Sequence, residues 1–316
     1  MSSPSVSVCM PVYNTKRYVA EAVESILAQT FGDFEFLIID DGSTDGSRAI
    51  LERYAKQDDR IRLISRPNTG IAGARNEALG LARGELIAVM DSDDVALPER
   101  FEVQVAYLRE HPEVICLGSK VQFIDEAGRF LFEEPHAMDH KAIQEVALRG
   151  YCPLVQCSMM MRREAVLAVK GYDPELSSAE DVDLVLRLGE QGKLVNLPQV
   201  LQKYRWHDQS ISAKKQALQA DRGKLAVLRA CERRGIERHD FSVTPWRPTN
   251  RHSRFEHALR VGWTGYMRGD REVAQVYAAK AIRQIPWRSD GWRLLACIVL
   301  KLGRRRILSS TRHGGY

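Results

Sequence analysis

The sequence predicts an α/β fold built on a mostly parallel sheet with helices on both faces. Strand-like and helix-like segments alternate through the first 110 residues. The strand-like segments are almost entirely apolar, as expected for parallel strands that helices cover on both sides. Polar side chains follow the ends of these strands. Ligands of such sheets bind at the carboxyl ends of the strands, so these polar positions predict a functional edge.

Four strands are predicted in this region. They cover residues 5–13, 34–39, 61–65 and 85–90. Helical patterns follow them at 16–29, at 46–57, at 71–82, and from Pro98 to about Glu110. The alternation is therefore βαβαβαβα, which is typical of a parallel sheet with helical crossovers.

The pattern becomes more varied after residue 110. Shorter strand-like runs fill 114–135, with a turn at Glu126–Gly128. We expect a helix at 139–149, a strand at 154–161, a helix at 179–191, and a strand pair at 194–204 that is broken at Pro198. The remainder is nearly all helical, interrupted near Pro245–Pro248.

These segments predict two parts, residues 1–212 and a helical region at 213–316, with the boundary between 212 and 250. Residues 255–288 fit a 34-residue hairpin of the tetratricopeptide type. An ordinary helical hairpin is the alternative. Since one repeat cannot bury its own apolar face, we expect it to pack on the rest of the chain, on a second protomer or on a membrane surface. Homo-oligomerisation thus stays open.

The composition restricts the class of protein. The chain has 316 residues, of which 44% are hydrophobic and 28% charged, as in globular proteins. A net charge of +5 does not indicate nucleic-acid binding. No run approaches the roughly 18 apolar residues of a membrane span, and Met1–Ser5 does not resemble a signal peptide. The expected location is cytoplasmic, with the cation-rich run Lys301–Arg306 either solvated or attracted to anionic lipid at the inner face of the membrane.

The six cysteines are scattered and form no CxxC pair, so a zinc site is not expected. We interpret them as reduced, mostly buried thiols. The first strand ends in Pro11-Val12-Tyr13-Asn14. This turn lacks the GxGxxG sequence of dinucleotide-binding domains, and the chain has no P-loop.

Asp91-Ser92-Asp93 ends a buried strand. Two carboxylates one residue apart at a strand end offer hard oxygen ligands that suit Mg²⁺ or Mn²⁺. Such an ion would neutralise a diphosphate and improve it as a leaving group. Asp93 or Asp94 could instead cap the helix that Pro98 opens, and both roles could hold for different aspartates.

Three segments, 6–47, 68–94 and 171–187, resemble family 2 glycosyltransferases, and the resemblance covers about the first 210 residues. It implies the GT-A fold, with a nucleotide-sugar half at about 1–110 and an acceptor half at about 111–212. It also implies a divalent metal, Mn²⁺ or Mg²⁺. The implied reaction is inverting transfer of a sugar from a nucleotide diphosphate to an acceptor hydroxyl.

The resemblance assigns nucleotide-binding roles near the first strands. Pro11 and Tyr13 match positions that hold the base, Tyr13 by stacking. Asp41 matches a carboxylate that accepts a hydrogen bond from a uracil-type imide, although an Asx-turn is the alternative. Asn68 and Ser92 fall within the matching segments and belong to the same predicted site.

The resemblance also implies roles for residues at the diphosphate and at the metal. Arg75 matches a basic residue near the diphosphate, which both a helix N-terminus and an arginine favour. Asp91 matches an aspartate on the ribose and metal side, and Asp93 a direct metal ligand. His207, in the segment YRWHDQS, resembles a histidine that completes the metal shell, with a structural histidine as the alternative. Arg205 in the same segment could meet a phosphate.

Glu180-Asp181 stands at the start of a predicted helix. The resemblance implies that Asp181 is the general base, with Glu180 beside it. The alternative is a charge pair that complements the helix dipole. Asp183 is a weaker candidate for the base.

Two other functions remain open at this point. A sugar nucleotidyltransferase would need a Gly-rich, basic loop directly after the first strand, which Pro11–Asn14 is not. A non-catalytic sugar-nucleotide-binding or scaffold protein would use the helical hairpin, but it would not require Asp93, Asp181 and His207 together. The acceptor, whether glycan, lipid-linked or protein, is not named by any residue.

Overall fold

The computed structural model describes residues 3–134, 136–237 and 241–300. Within these ranges the chain forms nine strands and twelve α-helices. The strands are β1 (Val6–Val12), β2 (Phe34–Asp40), β3 (Ile61–Ser65), β4 (Leu86–Val89), β5 (Val95–Ala96), β6 (Val114–Ile124), β7 (Phe130–Glu133), β8 (Met160–Arg162) and β9 (Lys193–Arg205). The helices are α1 (Val19–Leu27), α2 (Ser47–Ala55), α3 (Ile71–Leu81), α4 (Arg100–Glu110), α5 (His140–Ala147), α6 (Arg163–Ala168), α7 (Glu180–Leu188), α8 (Ile211–Lys214), α9 (Gln216–Arg233), α10 (Arg251–Arg268), α11 (Arg271–Gln284) and α12 (Ser289–Val299).

The nine strands form one sheet in the order β3-β2-β1-β4-β8-β6-β9-β5, with β7 paired to β6. The first four strands are parallel to one another. β8 runs antiparallel to β4 and β6, and β5 runs antiparallel to β9. Every residue of β1, β2 and β4 is buried. The predicted α/β class with a mostly parallel sheet is therefore confirmed.

Two apolar clusters cover the two faces of the sheet. Val8 belongs to the cluster that includes residues of α1 and α4. Its neighbour Cys9 belongs to the other cluster, which includes residues of α3, α7 and α9. Successive residues of β1 thus enter opposite cores because side chains alternate along a strand. This two-sided burial explains why the strands are apolar throughout.

The chain divides into two compact units. The first contains the N-terminal segment up to Phe123 together with Glu133–Thr244, and the second contains Ile124–Phe132 and the segment that begins at Pro245. α9 belongs to the first unit, because it buries Ala226, Val227 and other residues in the core that α7 shares. The predicted division into residues 1–212 and 213–316 stays a prediction.

In the second unit, α10 and α11 form the predicted helical hairpin. Gly269 ends α10 with φ 87°, and Asp270 caps α11 by accepting a hydrogen bond from the Val273 N–H. A Cβ at Gly262 would lie only 2.5 Å from Leu294 of α12, so glycine permits the close packing there. The tetratricopeptide type of this hairpin stays a prediction.

The tip of the β6–β7 hairpin also belongs to the second unit. The Arg268 guanidinium lies 3.7 Å from the centroid of the Phe130 ring, and that of Arg260 lies 5.0 Å from the Phe132 ring. Cations of α10 therefore contact aromatic rings of the hairpin tip, an interaction worth about 0.5–2 kcal/mol at each ring.

Two local predictions were wrong. Of the strand expected at 154–161, residues Gln156–Ser158 form a 3-10 turn and β8 begins only at Met160. The break expected at Pro198 is absent, since β9 runs through it. Pro198 is exposed, where its missing N–H leaves no buried partner unsatisfied.

All six cysteines are free, and four of them are buried. Among the described helices, none combines the length and the apolar character that crossing a membrane requires. The cation-rich run Lys301–Arg306 lies outside the described residues.

Candidate active site

The loops that follow β1, β2 and β4 are joined by side-chain hydrogen bonds. Asn14, with φ 54°, accepts a hydrogen bond through Oδ1 from the Thr44 N–H at 2.8 Å. The Thr15 hydroxyl donates to the Ser92 hydroxyl at 3.0 Å. The carboxyl ends of three neighbouring parallel strands thus form one connected surface, where ligands of such sheets bind.

The predicted base-binding residues differ in accessibility. The Tyr13 side chain is 52% exposed, so its ring is free to stack on a ligand. Pro11 lies inside β1 and is buried. It therefore shapes the end of the strand and exposes no surface that a base could contact. Asn68 is exposed, whereas Ser92 is buried against Thr15.

Asp41 holds the loop that follows β3. Its carboxylate accepts hydrogen bonds from the N–H groups of Thr69 and Gly70, both at 2.9 Å, and it lies 3.2 Å from the Arg66 guanidinium. The local turn after β2 depends instead on Asp40, which accepts from the Ser43 N–H at 3.1 Å.

Arg75 connects two carboxylates that are far apart in sequence. Its guanidinium donates to Asp91 at 2.8 Å and to Glu180 at 2.7 Å. Arg75 is only 4% exposed. Burial opposes its charge, but Asp91 and Glu180 outweigh burial and raise the pKa of Arg75. Arg75 therefore bridges the loop after β4 and the first turn of α7, and its predicted role at the diphosphate stays a prediction.

Asp93 and His207 form a second pair. His207 Nε2 lies 2.8 Å from Asp93 Oδ2, and the imidazole packs against the Tyr18 ring at a centroid distance of 5.0 Å. Arg205 donates to the Asp93 carbonyl at 2.8 Å and to Glu21 at 2.6 Å. Arg205 thus supports the loop that carries Asp93.

A buried group lies beneath these residues. Ligand atoms of Asp91, Asp94 and Cys157 lie within 4.8 Å of one another. Asp94 accepts from the Arg205 N–H at 2.7 Å, so it anchors β9 and does not cap α4. Burial, together with Asp93 and Asp91, raises the pKa of Asp94 well above its usual range. The buried Cys157 thiol is a poor ligand for a hard cation, which prefers oxygen.

Asp181 lies in the first turn of α7. Burial and the neighbouring Glu180 raise its pKa to about 6, although Arg75 and the Cys152 thiol act in the opposite direction. Its Oδ1 accepts from the Val182 N–H at 2.8 Å. Asp183 is 2% exposed and accepts from Arg187 at 2.8 Å. That ion pair makes Asp183 less suited than Asp181 to accept a proton.

Sequence reasoning missed Arg100, which is fully buried. Its guanidinium donates to the carbonyls of Val89 and Met159 at 2.9 and 3.2 Å and to Gln202 at 2.9 Å. It thus joins β4, β9 and the turn before β8. Burial lowers the pKa of Arg100 to about 10. The available signal was a cation in the first turn of a helix, where the dipole disfavours it.

Solved structures with this architecture identify the fold. The Staphylococcus aureus TarS structure in complex with UDP is 19% identical with a TM-score of 0.55, over 89% of this chain and 88% of that one. The mannosyltransferase PcManGT from Pyrobaculum calidifontis, in complex with GDP-Man and Mn²⁺, is 17% identical with a TM-score of 0.56, over 96% and 82%. The fold is that of GT-A glycosyltransferases.

Sequence relatives identify the family. The family model Glycosyl transferase family 2 matches residues 7–169. One relative, EpsE of Bacillus subtilis, is named as a glycosyltransferase. It is 34% identical over 76% of this chain and 86% of its own length. The chondroitin synthase of Escherichia coli is 30% identical over 76% of this chain, which spans 34% of that protein. The chain belongs to glycosyltransferase family 2.

Proposed function

We propose that this chain transfers a sugar, with inversion at the anomeric carbon, from a UDP-sugar to an acceptor hydroxyl. The observation that carries the proposal is the contact between Asp93 Oδ2 and His207 Nε2 at 2.8 Å. It joins the D-x-D sequence after β4 to the segment after β9. Beside it, Arg75 connects Asp91 to the helix that begins with Glu180 and Asp181.

The choice of a uridine nucleotide depends on Tyr13 and Asp41. Tyr13 is exposed at the end of β1 and is available to stack on a base. The Asp41 carboxylate binds two backbone N–H groups and retains lone pairs for one further donor, such as a uracil imide. TarS, a structural neighbour, was solved with UDP, whereas PcManGT was solved with GDP-Man. The structural neighbours therefore differ in their nucleotide, and uracil as the base is proposed from Tyr13 and Asp41.

The donor atoms fit a divalent cation. Asp91 and Asp93 are partly exposed on the same loop, and His207 adds an imidazole nitrogen to the carboxylate oxygens. Carboxylates suit both Mg²⁺ and Mn²⁺, while a nitrogen ligand favours the transition metal. Mn²⁺ bound to these three side chains would offset the negative charge that develops on the departing diphosphate.

Asp181 takes the proton in the proposed reaction. The acceptor oxygen forms a bond to the anomeric carbon as its proton passes to the Asp181 carboxylate. The bond between that carbon and the diphosphate oxygen breaks on the opposite face, and UDP leaves with the electron pair. A pKa of about 6 keeps Asp181 mostly ionised at pH 7 while leaving it basic enough to accept a proton.

The acceptor we propose is the hydroxyl of a glycan. Support comes from relatives such as chondroitin synthase, and the sequence adds no finer indication. Polysaccharide or glycoconjugate synthesis is therefore the proposed setting. A non-catalytic nucleotide-sugar-binding protein is the remaining alternative.

A two-stage experiment tests the proposed function. A thermal-shift panel of UDP-glucose, UDP-N-acetylglucosamine, UDP-galactose and GDP-mannose, each with Mn²⁺, identifies the donor. A ligand present at 100 times its Kd adds about 2.7 kcal/mol of stability. The selected donor should then be hydrolysed slowly in an Mn²⁺-dependent manner. Stabilisation without any hydrolysis, even with a panel of oligosaccharide acceptors, would favour the non-catalytic alternative.

A further inference from the structure

Two neighbouring residues of α3 hold the segment that leads into α7. We call residues 171–180 the pre-helix segment. At its start, Asn76 Nδ2 donates to the Tyr172 carbonyl at 2.7 Å, and Asn76 Oδ1 accepts from the Tyr172 N–H at 2.8 Å. At its end, Arg75 donates to Glu180 at 2.7 Å. The Arg75 guanidinium also lies 5.4 Å from the centroid of the Tyr172 ring.

The backbone of the pre-helix segment is shaped to these contacts. Gly171 has φ 65°, and a Cβ there would lie 2.5 Å from Asn76 Oδ1, so only glycine fits without displacing that side chain. Ser178 has φ 85°, and its N–H donates to the second oxygen of Glu180 at 2.6 Å. Glu180 is therefore held on both oxygens, by Arg75 and by Ser178.

The same guanidinium reaches the donor side of the site. Arg75 Nη2 donates to Asp91 Oδ1 at 2.8 Å while Nη1 serves Glu180. A guanidinium is planar and presents its N–H groups in a rigid fork, which fixes the relative position of two carboxylates in a way that a lysine ammonium does not. Arg75 thus connects the loop after β4 to the first turn of α7.

We propose that Arg75 is a positioning residue that places Asp181 against the donor loop, with Asn76 holding the far end of the pre-helix segment. This inference rests on the proposed role of Asp181 as general base. The geometric basis is that both Nη atoms of Arg75 are engaged by carboxylates of the protein.

The charges around Asp181 determine how the pH–rate profile should change in variants of Glu180 and Arg75. Glu180 of α7 faces it with negative charge, Arg75 of α3 with positive charge, and Cys152 with a thiol. Glu180→Gln removes a negative charge that raises the pKa of Asp181, so it should move the rising limb of the pH–rate profile to lower pH. Arg75→Lys keeps the positive charge but loses the fork, so it should lower kcat with little movement of that limb.

The kinetic experiment compares Arg75→Lys, Glu180→Gln and wild type in Mn²⁺-dependent hydrolysis of the donor selected by thermal shift. Arg75→Lys should reduce kcat by about 10-fold or more while KM stays within about threefold, the pattern of an interaction that matters in the transition state. Arg60→Lys is the matched control, because Arg60 also pairs with a carboxylate, Asp58, just before β3. An Arg75→Lys protein with tenfold weaker UDP binding and unchanged kcat would overturn the proposal in favour of a diphosphate ligand.

A second measurement does not depend on activity. Backbone hydrogen exchange across residues 171–188 should accelerate in Asn76→Ala and in Arg75→Lys, and remain as in wild type in Arg60→Lys. Unchanged exchange in both α3 variants would overturn the positioning role. If wild type turned over no donor, the proposed function would fail, whereas the exchange comparison would still decide whether α3 holds the pre-helix segment.

Discussion

His207 Nε2 lies 2.8 Å from Asp93 Oδ2, although 114 positions separate the two residues in the sequence. The contact brings the segment after β9 to the loop after β4, where Asp91 also lies. The His207 ring packs on Tyr18, and the Asp93 carbonyl accepts from Arg205. The fold thus holds a carboxylate oxygen and an imidazole nitrogen side by side, which supports the proposed divalent-cation site.

Replacing either partner should therefore reduce the metal dependence of nucleotide binding. In calorimetry of UDP with and without Mn²⁺, we expect Asp93→Ala to abolish the Mn²⁺ enhancement. His207→Ala should weaken it by about tenfold or more, while the fold is retained. His252→Ala, on an exposed part of α10, is the control. A His207→Ala titration that overlays the wild-type curve would assign His207 a structural role only.

Asp181→Asn should lower turnover by about 10² to 10⁴-fold, because an amide retains the size of the carboxyl but cannot accept the proton. Donor affinity should change little. The variant is measured for rate, UDP affinity and melting temperature on one preparation. The competing explanation, a helix-end charge, predicts a near-normal rate and a stability loss of about 0.3–1 kcal/mol. A folded variant with turnover within a few-fold of wild type would exclude Asp181 as the base.

The raised pKa of Asp181 also predicts how rate and stability depend on pH. The base must be ionised, so the rate should rise with pH through about 6. The fold favours the protonated form, so this group is stabilising below its unfolded pKa of about 4 and its contribution falls as pH rises through about 6. Asp181→Asn should then be more stable than wild type at pH 7, by on the order of 1 kcal/mol. A wild-type rate that does not vary between pH 5 and 8 would contradict the assignment.

N3-methyl-UDP tests the predicted role of Asp41. If Asp41 accepts a hydrogen bond from the uracil imide, methylation of that nitrogen should weaken binding to wild type by about tenfold or more, since a buried acceptor loses its donor. Asp41→Asn should bind both nucleotides weakly and alike. Equal binding of UDP and N3-methyl-UDP by wild type would restrict Asp41 to holding Thr69 and Gly70.

Arg100→Met should be strongly destabilising. Methionine fills part of the volume but removes the donor to the Val89 carbonyl and to Gln202 Oε1, at a cost of about 1–3 kcal/mol for each buried group that is left unsatisfied. Urea unfolding measures the loss. Arg60→Met, which removes a partly exposed arginine, is the comparison and should cost about 1 kcal/mol or less. Equal losses in the two variants would show that the contacts of Arg100 contribute little.

Much of the first unit follows from local pattern. The four parallel strands and their helices were predicted because strands buried on two faces must be apolar throughout, and helices between them must be amphipathic. The turn at Gln156–Ser158 and the unbroken β9 were not predicted. A short apolar run does not distinguish a strand from a turn, and the effect of Pro198 depends on whether it faces solvent.

The sequence by itself determined the fold class, the order of the elements and the polar residue types at the strand ends, because periodicity and residue type are local properties. Only the tertiary structure decided how those side chains pair. It joined Arg75 to Asp91 and Glu180, and it buried Arg100 where three elements meet. Such contacts join side chains that are distant in sequence. They depend on where each side chain points and how deeply it is buried, and neither property can be read from a single sequence. A charged residue can be assigned to an edge of the sheet from its sequence, but its partner is set by packing.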